Sequence, residues 1–170
     1  MDAQKFLEGS NKRWDVIIVD LPDPNTLSLG KLYSRTFYRL ALKHLMPTGV
    51  FVSQATSPFY ATDAFWCIVN TMRSTTLIEG GPPIYVLPYR ASVPSFGEWG
   101  FSMASKMPLL AKRVRLRTVE TRYLNAKLLP TLFVFPKDIA CRKTPINRLD
   151  NQVLVRLYEK DYSSFSYLKH

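Results

Sequence analysis

Trp14-Asp15-Val16-Ile17-Ile18-Val19-Asp20 is the most legible stretch of the chain, a β-branched run with apolar residues at neighbouring as well as alternate positions. Such a run predicts a central strand of a parallel sheet, covered on both faces. Leu21-Pro22-Asp23-Pro24-Asn25 ends it, because two prolines cannot continue a strand ladder. Ser34 to Met46 predicts a helix, with Ser34 as N-cap, Phe37, Leu40, Ala41 and Leu45 at helical spacing, and Pro47 with Gly49 as the stop. Gly49 to Gln54 predicts a second buried strand. Ala61 to Ser74 predicts a second helix that buries Phe65, Ile68, Val69 and Met72 and carries Asp63 near its positive end.

Strand, helix, strand, helix with tight connections is the pattern of an α/β sheet. After the turn at Gly80-Gly81-Pro82-Pro83 the pattern changes. Ile84 to Val93 and Trp99 to Ala104 predict two strands, and Pro94-Ser95-Phe96-Gly97-Glu98 leaves no room for a helix between them. They must pair antiparallel. Parallel units followed by such a hairpin describe the second half of a class I methyltransferase-like Rossmann sheet. Further on, Leu124 to Leu132 reads as helical, and Gln152 to Glu159 reads as a strand or a short helix.

Composition narrows the class. With 170 residues, 46% hydrophobic and 13% aromatic, the chain is ample for one packed domain and is not a disordered polymer. Cys67 and Cys141 form no CxxC pair, and His44 and His170 are the only histidines, which disfavours a disulfide framework or a metal site. The apolar runs are too short to span a bilayer, so a cytoplasmic location is expected. A formal charge of +10 raises the question of an anionic partner. The basic residues are dispersed, however, and Lys112 to Arg117 alternates charged and apolar residues as a strand or solvated edge does. No nucleic-acid-binding motif accompanies them.

Ligands of open α/β sheets bind beyond the carboxyl ends of the strands. Asp20 and Asp23 follow the first strand there, and Gln54 to Ser57 follow the second. Two carboxylates on a proline-stiffened turn either face one cavity, where they suit a cationic substrate and a proton-transfer step, or simply cap the turn.

Trp14 to Pro24, followed by Leu32-Tyr33-Ser34-Arg35-Thr36-Phe37-Tyr38, resembles the signature of the spermidine synthase family of polyamine aminopropyltransferases. Gly49 to Phe59 continues the resemblance in register, as does Val93-Pro94-Ser95-Phe96-Gly97-Glu98-Trp99-Gly100-Phe101. Gly97 to Phe101 together with Asn147-Arg148-Leu149-Asp150-Asn151 resembles bacterial members that carry a separate membrane region. The resemblance implies that residues 1–170 form the C-terminal half of the Rossmann domain, without the N-terminal Gly-rich half. That half, or a second copy of the chain, is the implied protein partner. The implied reaction moves the aminopropyl group of decarboxylated S-adenosylmethionine, a co-substrate rather than a resident cofactor, to putrescine or a similar diamine.

By the same resemblance Asp20 is the proton acceptor, Asp23 holds the diamine and Gln54 lines its channel. Asp2 and Ala3 fall where the family has an acidic-small pair beside the adenine. Two positions depart from the family pattern. Leu27 stands near the place of a second proline beside the methylthioadenosine, and Val93 where a tyrosine often contacts the diamine, with Tyr85 and Tyr89 upstream, which bears on the choice of diamine. Glu98 is a replacement acid or an exposed turn residue, and Trp99 and Phe101 are expected in the core. Two alternatives stand beside the aminopropyltransferase reading. One is another S-adenosylmethionine-dependent methyltransferase, the other a non-catalytic interaction module on the same fold.

Overall fold

A computed structural model of the chain describes residues 3–118 and 120–166. In chain order these form helix α1 (Ala3–Glu8), strand β1 (Trp14–Val19), helices α2 (Leu27–Lys31) and α3 (Arg35–Lys43), and strand β2 (Leu45–Gln54). Helix α4 (Thr62–Arg73), strands β3 (Tyr85–Val93) and β4 (Gly97–Ser105), and helix α5 (Val153–Ser166) follow. The strands make one sheet in the order β1-β2-β4-β3. β1 and β2 are parallel, with Ile18 opposite Val52, and β4 runs antiparallel to both β2 and β3. The parallel pair followed by an antiparallel hairpin is the arrangement the sequence predicts. At the hairpin turn Gly97 takes a φ of +76°, a left-handed conformation that glycine adopts without steric cost.

Both long helices of the first half lie on one face of the sheet. Tyr38 of α3 sets its ring edge-on to Phe51 of β2 at 5.8 Å. Phe65 of α4 presses on Gly100 of β4 so closely that a Cβ there would lie 2.4 Å from the ring. Phe51, Ser102, Ala104 and Gly100 share that face and are buried. The expectation that β1 is central and covered on both sides needs correction. β1 has one strand neighbour, at the end of the described sheet, and Val16 and Ile18 are 57% and 73% exposed. The physical reason is that α3 and α4 return to the same face, leaving the alternate side chains of β1 to solvent.

Local boundaries follow from the sequence. Ser34 caps α3 as expected, its Oγ accepting from the Phe37 N–H at 3.3 Å. The helix stops at Lys43 rather than Met46, because Pro47 disfavours a helical Met46 and Leu45 instead opens β2 opposite Trp14. α4 buries Phe65, Ile68, Val69 and Met72 as predicted. Its N-cap residue Ala61 supplies no side-chain bond, so Asp161 of α5 does so from a distance, accepting from the Ala64 N–H at 3.0 Å.

The second half departs more from expectation. Of the predicted 124–132 helix only the last four residues are helical, within a 3₁₀ turn over Leu129–Phe133 that contains Pro130. Asn125 Oδ1 accepts from the Lys127 and Leu128 N–H groups and turns the chain just before it. Lys112 to Arg117 is not a strand: a 3₁₀ turn over Ala111–Arg113 leads into irregular chain whose basic residues are exposed. Of the two alternatives for 152–159, the helix is correct, and Leu154 and Val155 anchor it in the core. Among the described residues no helix is long and apolar enough to cross a membrane.

Candidate active site

The carboxyl ends of β1 and β2 converge on a cavity of about 440 Å³ lined by Asp20, Leu21, Pro22, Asp23, Gln54, Phe96 and Trp99. Of the two readings of the acidic pair, the structure therefore brings both carboxylates to one cavity. A second space, about 380 Å³, shares Asp20, Gln54, Phe96 and Trp99 and runs over the open side of the sheet past Ile18, Tyr89 and Phe101. A third, about 290 Å³, shares Ile18 and Val19 with the second and reaches Ala3, Phe6 and Trp14. Ala3 is thus linked to the acidic turn along β1. Asp2 lies outside the described residues.

The two carboxylates differ in setting. Asp20 is exposed at the cavity rim. Asp23 is more enclosed: burial raises its carboxyl above the usual carboxylate range, against the pull of the Tyr158 hydroxyl and the polar side chains of Thr56 and Gln54. Tyr158 donates to Asp23 Oδ2 at 2.8 Å, while Oδ1 is buried without a hydrogen-bond partner. An ammonium group brings three N–H donors, which is what such a half-satisfied carboxylate lacks.

Gln54 organises the cavity wall. Its Nε2 donates to the Leu21 carbonyl at 2.6 Å and to the Tyr33 hydroxyl, and its Oε1 accepts from the Thr56 N–H at 2.7 Å and Trp99 Nε1 at 3.2 Å. One buried amide thereby ties together the turn after β1, the end of β2 and strand β4. Tyr33 completes the clamp by donating to the Pro22 carbonyl at 2.9 Å, and burial together with the Asp23 charge pushes its own hydroxyl well up, so it stays protonated. Thr56 takes a φ of +60°, unusual for a β-branched residue and costing on the order of 1–3 kcal/mol. That conformation lets the Gly100 N–H reach the Thr56 carbonyl at 2.8 Å while Thr56 N–H serves Gln54.

Two expectations about the hairpin change. Trp99 is not simply core: it lines the cavity and bonds Gln54, and Phe101 lines the adjoining space, its ring stacked on Tyr89 at 5.1 Å. Glu98 is no substitute acid. It points to the opposite face of β4 from Trp99, as strand alternation requires, and is ion-paired with Arg90. Val93, standing where a tyrosine would contact the diamine, lines the adjoining space beside Tyr89. Tyr33, Thr56 and Tyr158 were not given roles in the sequence; of these Tyr33 and Thr56 lie within the quoted motifs and Tyr158 does not.

A family profile described as the spermine/spermidine synthase domain matches residues 1–113. Curated relatives include polyamine aminopropyltransferase 2 of Ralstonia nicotianae, 42% identical over 161 residues, covering 95% of this chain and 30% of the relative. Polyamine aminopropyltransferase of Oceanobacillus iheyensis is 40% identical over 169 residues, covering 97% of this chain and 31% of the relative. The chain therefore spans about a third of the length of these proteins. Among solved structures, spermidine synthase from Thermotoga maritima superposes with a TM-score of 0.63 at 23% identity, over 82% of this chain and 46% of that one. A spermidine synthase in complex with the transition state analogue AdoDATO gives 0.60 at 21%, over 80% and 44%. The structural likeness establishes the methyltransferase-like α/β fold, and with two-thirds of its residues matched by the profile this chain belongs to the spermine/spermidine synthase domain family.

Proposed function

We propose that the cavity is the acceptor side of an aminopropyltransferase site, which moves the aminopropyl group of decarboxylated S-adenosylmethionine to putrescine or a similar diamine. The observation that carries this reading is the shared lining of one cavity by Asp20 and Asp23, beside the aromatic wall of Phe96 and Trp99. Carboxylates and aromatic faces together suit an alkylammonium chain. Asp23 is the anchor for the ammonium that does not react. Gln54, whose amide is fully engaged by protein groups, holds the channel wall and meets substrate by contact, or by exchanging one of its present partners.

The reacting nitrogen must be freed of a proton, because an alkylammonium has a pKa near about 10. Asp20, at the rim, is the proton acceptor. The nitrogen lone pair then attacks the aminopropyl carbon bonded to the sulfonium. A C–N bond forms, the C–S bond breaks, and the sulfur keeps the bonding pair to leave as neutral methylthioadenosine. Such an in-line displacement is accelerated chiefly by placing the two reactants correctly. The nucleoside end of the donor would lie along the open side of β1, where the adjoining spaces lead from Asp20 towards Ala3, with Asp2 beside the adenine. Two unpaired cysteines, Cys67 and Cys141, suit a reducing, cytoplasmic setting.

The test is formation of methylthioadenosine and spermidine from decarboxylated S-adenosylmethionine and putrescine. Asp20→Asn, which keeps shape but cannot take the proton, is expected to lower turnover about 10²–10⁴-fold. Full activity in Asp20→Asn removes Asp20 as the base. Transfer of a methyl group from S-adenosylmethionine instead would place the chain among methyltransferases.

A further inference from the structure

We propose that Tyr158 of α5 is a positioning residue for Asp23, fixing one carboxylate oxygen so that the other is presented to the substrate ammonium. This rests on the aminopropyl-transfer reading above, and it assigns α5 a part in choosing and holding the acceptor.

The geometry is specific. Tyr158 Oη reaches Asp23 Oδ2 at 2.8 Å across 135 residues of sequence. A carboxylate with one oxygen tethered can no longer turn freely about its terminal torsion, so the free oxygen keeps a fixed direction. That oxygen, Oδ1, is buried and has no hydrogen-bond partner, which leaves a strong acceptor ready for a cationic donor. Thr56 and Gln54 also turn polar side chains towards Asp23, and neither cancels its charge, so an ammonium is the partner it lacks.

The tyrosine is itself held. Its ring lies 4.5 Å from that of Tyr162, one helical turn further along α5, and it packs against the core. α5 is fastened at both ends of its contact with the domain. Asn147 Oδ1 accepts from the Leu154 N–H at 3.3 Å, and Asp161 accepts from the Ala64 N–H of α4. The hydroxyl position is therefore set by the fold and not by a mobile side chain. Among the described residues, Asp23 interacts with Tyr158 and Tyr162 from α5, Tyr33 from the segment before α3, and Gln54 and Thr56 at the end of β2, and it shares its cavity with Asp20. None of these described groups is cationic, which suits a cationic ligand.

Tyr158→Phe removes the hydroxyl and keeps the ring that packs against Tyr162. The expected result is a rise of about 10-fold in the KM for putrescine, the loss of one hydrogen bond to a charged group, with kcat changed much less. The Asp23 carboxyl, followed by ¹³C NMR with Asp23→Asn to assign its signal, should titrate at higher pH in Tyr158→Phe, because a donor to the ionised form is gone. Fluorination of the ring at position 158 keeps the shape and strengthens the donor, so it should move the titration downwards and serves if Tyr158→Phe does not fold. In an Asp23→Asn background Tyr158→Phe should add no further change in KM. An unchanged Asp23 titration, or an unchanged KM, overturns the proposal. Absence of putrescine turnover in the unaltered protein overturns the aminopropyl-transfer reading instead, and the titration, which needs no substrate, then still decides whether Tyr158 governs Asp23.

Discussion

On one face of the sheet Phe51, Ser102 and Ala104 are fully enclosed beneath α3 and α4, while on the other Val16 and Ile18 of the edge strand stand largely in solvent and Trp99, Phe101 and Tyr89 line open cavities. Both faces are built from the same strands, and alternate residues go to opposite sides. The difference lies in cover. On the covered side the helices close over the sheet and bond to the later chain: Trp66 Nε1 donates to the Ile139 carbonyl at 3.0 Å, and the Thr71 hydroxyl accepts from the Asn147 N–H at 2.8 Å. The described cavities open on the other side and at the turn after β1. Close packing and open space fall on different sides of one four-stranded sheet.

Substitutions can test that division. Trp66→Ala, which empties a fully enclosed site and removes ring contacts with Phe65 and Phe135, should cost about 3–5 kcal/mol by urea denaturation. A loss near zero would mean that the covered face does not carry the fold. A smaller effect is expected from pH. Because burial raises the Asp23 carboxyl above its unfolded value, the native state holds a proton that the unfolded chain has already released. Stability should therefore fall as pH rises from the ordinary carboxylate value through the raised one, and level off above it. Asp161 is raised in the same direction, so Asp23→Asn should remove only part of the slope, and urea midpoints at a series of pH values would show it. Identical slopes in the two proteins would place Asp23 outside this balance. Least of all, Ile18→Thr on the exposed side of β1 should change stability by no more than about 0.5 kcal/mol. A large loss there would mean that the open side is packed in solution.

The sheet and α4 were legible in the sequence because each repeats a hydrophobic period over enough residues to be unambiguous. The edge position of β1 was not. A run apolar on both faces says that cover is favourable, and it cannot say which residues provide it. α2 was missed, since its five residues include Gly30, and a helix that short leaves almost no periodic signal. α5 was ambiguous because Val153-Leu154-Val155 suits a strand locally, and docking against α4 decides the matter. At the site, the Asp20–Asp23 turn could be found from proline spacing and strand ends, and the structure adds that both line one cavity. The opposite orientations of Glu98 and Trp99 could have been read from strand alternation alone. The four bonds of Gln54 and the contact from Tyr158 could not, because they join segments that no local pattern connects.

The tether between Asp23 and Tyr158 also sets an order of events in synthesis. A ribosome adds about 5–20 residues per second, so a partner 135 residues downstream leaves it on the order of ten seconds after the acidic turn does. For that interval β1 is already made, while the helix that steadies the turn does not yet exist. Among the described elements, the helix that finishes the anchor is the last to be translated.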